Sequence, residues 1–427
     1  MHMNRPVAGI DVAKAFSELC LLAPDNTVLA TQHIRHDSQE DIEKAIHLLQ
    51  KSEKDSGCSP IVVMESTGHY HKILFHAFAQ RGIDVIIVNP IQSDSIKNMD
   101  VRKVKNDKTD AKRLAQLYRL KGEALRTTVM PNPSVSALKD LIRQYFDFQD
   151  ELTAHKLRLI SLVDRVLLGF EQNVIPIISA TGLAILKAYP SASAILKTRR
   201  STLIRLIANT ARKSPHFAET KCEALCDLAR SMRVLGDASA HLAVVIRAEI
   251  TLIEQVQVAL ESVSQAMHSL VDQDRQTEKA ELAKTIDLLI SIPGISFLTA
   301  VTILAEFGDV SAFRSAKALT AYCGLDPSVK QSGNFQGTRN KISKRGSRLL
   351  RRVLFYIAEA NIRSKRNKQP MNPYMQAFYQ NKCLSKPKMI ALVAVMHKML
   401  FIIFAVLRDQ QPFTFRDPKE HAARLTA

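Results

Sequence analysis

Short apolar runs alternate with amphipathic segments along the N-terminal part of the chain. The runs predict five strands, at residues 7–11, 19–22, 28–34, 61–64 and 84–88. Turn-forming residues at 24–26 predict that the second and third strands form a hairpin. Ser38 and Asp41 form a capping-box pattern that predicts a helix before the fourth strand, and a second helix follows that strand. Elements in this order predict a mixed sheet with helices packed on it.

The remaining sequence has helical periodicity, and two of its segments repeat apolar residues at heptad spacing. Pro131 and Pro133 mark where this part begins. The repeats run from Leu138 to Val166, interrupted by His155, and from Ile246 to Leu270. Two such helices could form a coiled coil between protomers or an ordinary antiparallel pair within one subunit. We therefore predict an α/β domain plus all-α regions: residues 5–125, a helical coiled-coil region at 133–280, and a helical basic domain at 281–412.

Lysine and arginine exceed aspartate and glutamate by 59 to 41, a net charge of +18. This balance predicts a polyanionic partner, with nucleic acid the first candidate and an acidic membrane surface the second. Six scattered cysteines are typical of free thiols in a reducing compartment. The most apolar stretch, 389–407, is broken by His397 and Lys398, which favours a buried helix over a membrane span. We expect a cytoplasmic, nucleoid-associated protein that binds no membrane.

Four carboxylates in the predicted α/β domain could together hold two divalent cations. Asp11 and Glu65 come at the ends of predicted strands, and Asp107 and Asp110 share a face if their segment is helical. Mg²⁺ (or Mn²⁺) prefers oxygen ligands, and two such ions would stabilise the attacking and leaving oxygens of a phosphodiester. Taken singly, each residue is equally well a cap, a turn or a solvated helix residue. Together, in the mixed sheet of a basic protein, they indicate a ribonuclease-H-like architecture.

Most of the excess positive charge lies in one C-terminal segment. Residues 312–370 contain 14 lysines and arginines against two acidic residues. Clustering of one sign beside a Gly-rich loop favours binding to a phosphate backbone. The residues expected to bind nucleic acid are Lys330, Arg339, Lys341, Lys344, Arg345, Arg348 and Arg352. Upstream, the sequence Ile292-Pro293-Gly294-Ile295 predicts either a helix-hairpin-helix that binds phosphate or a plain turn.

Ser332 lies in the Gly-rich loop of this segment. A base, a metal or dense positive charge can activate a serine hydroxyl as a nucleophile. By residue type alone, a turn serine is the simpler interpretation, and Ser328, Ser343 and Ser347 are equal rivals.

Several motifs resemble a known family. GIDVAK around Asp11, MESTGHY around Glu65 and KNDKTDAKRLAQL around Asp107 and Asp110 resemble the N-terminal domain of the DEDD-type insertion-sequence transposases. GLDPSVKQSG and KISKRGSRLLRR resemble their C-terminal transposase domain, which carries a serine nucleophile. The resemblance covers both ends of the chain and implies an N-terminal domain similar to RuvC, the Holliday-junction resolvase. The central helical region is longer than in compact members of this family.

The resemblance also implies roles for particular residues. Asp11, Glu65, Asp107 and Asp110 would bind magnesium, and Ser332, directly before Gly333, would be the nucleophile. The implied reaction is serine attack on a DNA phosphodiester, which gives a covalent phosphoserine link, followed by strand exchange. The implied partners are donor element ends, target DNA and an element-encoded noncoding RNA that pairs with both. A composite site between protomers would make the protein a homo-oligomer, either a dimer or a tetramer.

The sequence thus predicts a DNA transposase or recombinase of an insertion sequence. Two alternatives stay open. One is a metal-dependent nuclease similar to Holliday-junction resolvases, which would use water and leave no covalent adduct. The other is a catalytically inactive nucleic-acid-binding protein, whose binding would depend strongly on salt without magnesium-dependent chemistry.

Overall fold

The computed structural model divides the chain into two compact units between Pro131 and Asn132. It describes residues 5–66, 68–88, 106–122, 125, 127–128, 132–232, 240–327, 331–332, 335–336, 341–364 and 369–415. For residues 331–332 and 335–336 the description covers the backbone only. The predicted ligands Lys330 and Arg339 and the rival serine Ser328 lie outside the described residues.

A mixed sheet forms the centre of the first unit. The elements are β1 (Val7–Val12), β2 (Phe16–Leu22), β3 (Val28–Arg35), α1 (Gln39–Ser56), β4 (Ile61–Glu65), α2 (His71–Ala79), β5 (Asp84–Val88) and α3 (Asp107–Lys121). The strand order is β3-β2-β1-β4-β5, with β1, β4 and β5 parallel and the β1-β2-β3 pairs antiparallel. This order and these directions are those of a ribonuclease-H-like domain. The predicted hairpin and the Ser38 cap of α1 are confirmed, since the Ser38 side chain accepts from the Asp41 amide.

The two faces of this sheet are buried by different helices. Ala8 and Ile10 of β1 pack in a core with α1 and α2. The alternate residue Val7 packs in a second core with α3. Because side chains alternate along a strand, Gly9 and Asp11 lie on the same face as Val7, beneath α3.

Helix α3 approaches β1 closely at Gly9. A Cβ atom built on Gly9 would lie 1.9 Å from the Ala111 carbonyl oxygen and 2.5 Å from the Ala115 amide nitrogen. These are backbone atoms that cannot rotate away, so any larger residue must push the helix off the sheet. We expect Gly9→Ala to lower the free energy of unfolding by about 3 kcal/mol, the upper end of the usual cost of overpacking. Urea denaturation would measure this loss in the free energy of unfolding, and hydrogen exchange would show whether β1 is destabilised.

Gly57 provides the control for this substitution. It ends α1 at a φ of +69°, and nothing lies within 4 Å of an added Cβ. Gly57→Ala therefore costs only the strain of a left-handed backbone, about 1 kcal/mol. Equal losses for the two substitutions would contradict the close approach of α3.

The described part of the second unit is helical apart from one short hairpin. Its elements are α4 (Pro133–Val166), α5 (Phe170–Asn173), α6 (Ala180–Ala188), α7 (Ala192–Lys197), α8 (Arg200–Ala211), α9 (Pro215–Met232), α10 (Ala240–Arg275), α11 (Glu281–Ile290), α12 (Phe297–Phe307), a 3₁₀ turn (Val310–Ala312), α13 (Ala316–Tyr322), β6 (Gln331–Ser332), β7 (Phe335–Gln336), α14 (Arg348–Ile362), α15 (Pro373–Cys383) and α16 (Lys388–Asp409).

The two heptad segments, α4 and α10, pack against each other within the chain. Leu138 near the start of α4 shares a core with Met267 near the end of α10, and Leu159 shares another with Ile246. The helices are therefore antiparallel. His155, the predicted polar interruption, places its Nδ1 2.6 Å from Glu249 Oε2 on the facing helix. The sequence is compatible with a coiled coil between protomers or with an antiparallel pair within one subunit. The structure shows the pair within one subunit.

The apolar helix α16 lies in the core of the C-terminal part of the chain. By length and composition alone it could cross a membrane, but 56% of its apolar window is buried inside the protein. Val395, Met399 and Ile403 are fully buried and share a core with Leu354 of α14. This packing agrees with the predicted buried helix.

Candidate active site and nucleic-acid interface

Asp11 and Glu65 lie next to each other at one edge of the sheet. The parallel pairing of β1 and β4 places Ile10 opposite Met64, so the residues that follow them, Asp11 and Glu65, lie side by side near the ends of the two strands. Both lie on the face of the sheet that α3 covers, since Gly9 and Val63 two residues earlier face that helix. Glu65 is buried and Asp11 half-buried. The sheet therefore brings two of the predicted carboxylates together.

The direction of α3 brings its first turn to the same edge. Ala111 lies over Gly9, while Nη2 of Arg119 donates to the Arg5 carbonyl, 2.5 Å away, at the start of β1. The helix thus runs antiparallel to β1, and its first turn, with Asp107 and Asp110, points toward the edge that carries Asp11. The Asn106 side chain caps this turn by accepting from the Lys108 amide. Asp110 is buried and Asp107 is exposed.

Asp110 forms an ion pair that its sequence pattern does not single out. Its Oδ1 accepts from Nη1 of Arg113 at 2.8 Å, and the two side chains are only 7% and 10% exposed. Arg113 is one turn further along α3, at the i,i+3 spacing at which side chains on a helix meet. The only sign of this pair in the sequence is its i,i+3 spacing, which many solvated helix pairs share.

The donor set suits a hard divalent cation, because four carboxylates supply the oxygen ligands that magnesium prefers. Asp11, Glu65, Asp107 and Asp110 lie on two strands and a helix turn that meet at one edge of the sheet. In the described part of the chain, however, no three His, Cys, Asp or Glu side chains are gathered closely enough to enclose an ion. The residues are thus suited to a cation in type and in placement on the fold, and the ligand geometry itself stays a prediction.

Ser332 lies in a small hairpin whose base is fixed by neighbouring contacts. It ends β6 and pairs with Phe335 of β7. Below the hairpin, Pro327 bridges to Ile342, and the Ser343 amide donates to the Asp326 carbonyl at 2.8 Å. The segment before α14 packs closely on α13, because a Cβ on Gly346 would lie 2.1 Å from the Tyr322 carbonyl oxygen.

Other potential nucleophiles near this hairpin have different roles. The Ser343 hydroxyl donates to the Asp326 carboxylate, and the Ser347 hydroxyl caps α14 by accepting from the Leu350 amide. Burial raises the pKa of the Cys323 thiol to about 12, so this cysteine stays protonated near neutral pH.

The predicted nucleic-acid ligands differ in how the structure uses them. Lys341, Lys344, Arg345 and Arg348 are exposed. Arg352 instead joins α14 to α4: its guanidinium lies 4.9 Å from the Phe146 ring centroid, and its Nη1 donates to Asp150 Oδ1 at 2.7 Å. The structure therefore gives Arg352 a packing role, and its contact with nucleic acid stays a prediction.

The Pro293-Gly294 hairpin joins α11 to α12, as the sequence predicts. A buried hydrogen-bond network holds this turn. The fully buried Asn361 side chain donates to the Pro293 carbonyl at 2.7 Å and accepts from the Asn372 side chain at 2.9 Å. Gly294 has a φ of +82°, and an added Cβ would lie 2.8 Å from Asn361 Nδ2. The turn is thus tightly specified, and phosphate binding by it stays a prediction.

Two family models and several known proteins are similar to parts of this chain. A DEDD transposase model for IS110 matches residues 8–168, and a model described as transposase of the IS116/IS110/IS902 family matches residues 286–380. The IS110 43.6 kDa protein of Streptomyces coelicolor is 24% identical over 320 residues, which cover 74% of this chain and 73% of that protein. The pilin gene-inverting protein of Moraxella bovis is 35% identical over 136 residues, 32% of this chain and 41% of that protein. Thermus thermophilus RuvC covers 29% of this chain and 99% of its own, with 14% identity and a TM-score of 0.22.

The matched segments, with the sheet and its carboxylate edge, define a transposase, an enzyme class that cuts and rejoins DNA. The chain belongs to the IS110 family of DEDD transposases. DNA is accordingly its substrate, and membership in a DEDD family implies dependence on a divalent metal.

Proposed function

We propose that this protein recombines DNA through a covalent bond between Ser332 and a DNA phosphate, with Asp11, Glu65, Asp107 and Asp110 as ligands of Mg²⁺ or Mn²⁺. The observation that carries the proposal is the convergence of two strand ends and the first turn of α3 on one edge of the sheet. A lone carboxylate at a strand end has many uses, whereas four on one edge provide the charge that divalent cations need.

The proposed reaction has two balanced steps. Ser332 Oγ attacks the phosphorus of a phosphodiester, so an O–P bond to serine forms while the bond to one deoxyribose oxygen breaks. The serine proton is transferred, in net terms, to that leaving oxygen, which becomes a free hydroxyl. In the second step a hydroxyl from another strand attacks the phosphoserine, and the serine oxygen recovers its proton. Phosphodiester bonds are thus exchanged without an external energy source.

The carboxylates have a positioning role in this scheme. A divalent cation, when bound, withdraws electrons from the phosphate and stabilises charge on the leaving oxygen. Glu65 and Asp11 would hold it from the rigid sheet, and Asp110, fixed by Arg113, would hold it from α3. Rigid placement matters because a loosely held ligand loses much of its catalytic effect.

Two further parts of the proposal concern partners. An element-encoded RNA would choose the donor and target sequences by base pairing, which suits a protein whose exposed cations would contact backbone rather than base edges. A homo-oligomer, dimer or tetramer, would bring together the two pairs of strands that recombination exchanges. Omitting the RNA in the assay below, and measuring the mass of the complex in solution, would test these parts.

Covalent trapping tests the proposal directly. Purified protein would be incubated with element-junction DNA and RNA transcribed from the element flanks, with Mg²⁺ or with EDTA. We expect a protein–DNA adduct on a denaturing gel with Mg²⁺ only. Asp11→Asn is expected to reduce the adduct at least about 100-fold, since losing one ligand removes a few kcal/mol of transition-state stabilisation.

The control for Asp11→Asn is Asp25→Asn. Asp25 is an exposed turn residue of the same unit, and its contacts with Thr27 can be kept by an amide oxygen. Its adduct yield should match the wild type. Cleaved DNA without an adduct would instead indicate a nuclease that uses water, and DNA binding without any magnesium-dependent product would indicate an inactive binding protein.

A further inference from the structure

The central helical bundle carries a long stretch without acidic residues. No Asp or Glu occurs between Glu171 and Glu219, an interval of 47 residues that contains seven lysines and arginines. They are Lys187, Lys197, Arg199, Arg200, Arg205, Arg212 and Lys213. Nothing in the transposase motifs accounts for this charge, because the matched segments end at residue 168 and resume at 286.

The structure places four of these cations around the exposed side of α8. Leu203 and Ile207 bury the inner side of the helix in the core of the bundle. Arg205 lies on the exposed side, Arg199 precedes the first turn, and Arg212 follows the last turn in a left-handed conformation at a φ of +50°. Lys197, at the end of α7, is also exposed. We call Lys197, Arg199, Arg205 and Arg212 the α8 basic surface.

Other cations of the same bundle are used to hold its helices together. Lys187 pairs with Glu254 of α10 at 2.5 Å, and Arg247 donates to the Lys187 carbonyl at 3.0 Å. Arg200 lies 3.9 Å from Glu223, with both side chains more than half exposed. None of the four side chains of the α8 basic surface, by contrast, has a hydrogen-bond or ion-pair partner among the described residues. Their charge therefore does not serve the packing of the bundle.

A rigid helix face that carries several positive charges without acidic partners is suited to bind a negatively charged phosphate backbone. The twelve residues of α8 rise about 18 Å, which spans about five phosphates of one strand at 3.4 Å per step. Neutral donors lie on the same exposed side: Asn209 follows Arg205 by one turn, and Ser201 precedes it by one turn. Such residues join arginine in backbone contacts that carry no sequence preference.

We propose that the α8 basic surface binds the phosphate backbone of a nucleic-acid duplex. This gives the central bundle a binding role separate from the carboxylate edge and from the Ser332 hairpin. Because backbone contacts dominate, the affinity of this surface is independent of sequence and falls steeply with salt. The binding does not rest on the proposed phosphoserine chemistry, since it needs neither Ser332 nor a metal.

The test compares the salt dependence of two full-length variants. Arg199→Gln/Arg205→Gln/Arg212→Gln removes three cations of the surface. Lys51→Gln/Lys54→Gln/Lys279→Gln removes three exposed cations elsewhere and serves as the control. Fluorescence anisotropy would measure binding to a 30-base-pair DNA duplex of arbitrary sequence, and to an RNA duplex of the same length, between 50 and 200 mM KCl in EDTA.

The slope of log affinity against log salt distinguishes the outcomes. Each phosphate contact contributes about 0.9 to this slope on B-form DNA, so the surface variant should lose about 2 to 3. Its affinity at 0.1 M salt should fall roughly tenfold or more, while the control keeps the wild-type slope. A change on DNA alone or on RNA alone identifies which duplex the surface binds. Slopes within about 0.5 of wild type on both duplexes would overturn the proposal, as would an equal loss in the control.

The titration runs in EDTA and needs no strand cleavage, whereas covalent trapping needs a metal and Ser332. A negative result in one experiment therefore does not imply a negative result in the other. Urea denaturation of both variants should match the wild type, since all six side chains are exposed. If the surface variant loses both slope and stability, single substitutions of Arg199, Arg205 and Arg212 separate the effects. Each should lower the slope by about 0.9 without a stability change.

Discussion

Ser332→Ala is expected to abolish the covalent protein–DNA adduct. The adduct is a bond between a side-chain oxygen and phosphorus, and alanine has no oxygen to form it. The yield should fall at least about 10³-fold, as when the nucleophile of a covalent enzyme is removed. DNA binding should stay within about twofold of wild type, because one hydroxyl among many backbone contacts contributes little to it. A denaturing gel measures the adduct and an anisotropy titration measures the binding.

The rival serines give matched controls for this substitution. Ser343→Ala removes a hydroxyl that contacts Asp326, and Ser347→Ala removes the N-cap of α14. Each is expected to cost about 1 kcal/mol of stability and to keep the adduct. Adduct formation by Ser332→Ala, or complete loss of it in Ser343→Ala, would contradict the assignment of the nucleophile.

The sheet of the first unit was predictable because its determinants are local. Short continuous apolar runs define β1, β4 and β5, and the turn around Asn26 defines the hairpin. A parallel pair of neighbouring strands then fixes where residues that follow them must lie. The adjacency of Asp11 and Glu65 follows from this rule, without any knowledge of side-chain contacts.

The features that the sequence did not reveal depend on contacts between distant segments. Heptad spacing shows that α4 and α10 each have an apolar stripe, but not whether the partner helix belongs to the same chain. Arg352 has the spacing of a DNA-binding residue, yet it packs against Phe146, 206 positions earlier in the sequence. The burial of Arg113 depends on how closely α3 approaches the sheet at Gly9, and a single glycine in a strand does not specify what covers it.

Asp110→Ala is expected to destabilise the protein strongly, by about 3–5 kcal/mol. The substitution removes the carboxylate that accepts from Nη1 of Arg113, whose side chain is only 10% exposed. Removing one partner of a buried ion pair is much more costly than removing one partner of an exposed pair. Asp107→Ala is the control, because Asp107 is an exposed residue in the first turn of the same helix and should cost less than about 1 kcal/mol. Urea denaturation measures both.

The double variant Asp110→Ala/Arg113→Met separates the structural role of Asp110 from its catalytic role. With both charges gone and the guanidinium replaced by an apolar side chain, most of the lost stability should return, because a buried ion pair is often no more stabilising than an apolar replacement. The double variant should still lack magnesium-dependent cleavage, since the proposed metal ligand is absent. Restored stability without cleavage would therefore assign the Asp110 carboxylate to the reaction. Wild-type cleavage by the double variant would show that Asp110 serves only to neutralise Arg113, and the metal site would then have to be built from the other three carboxylates.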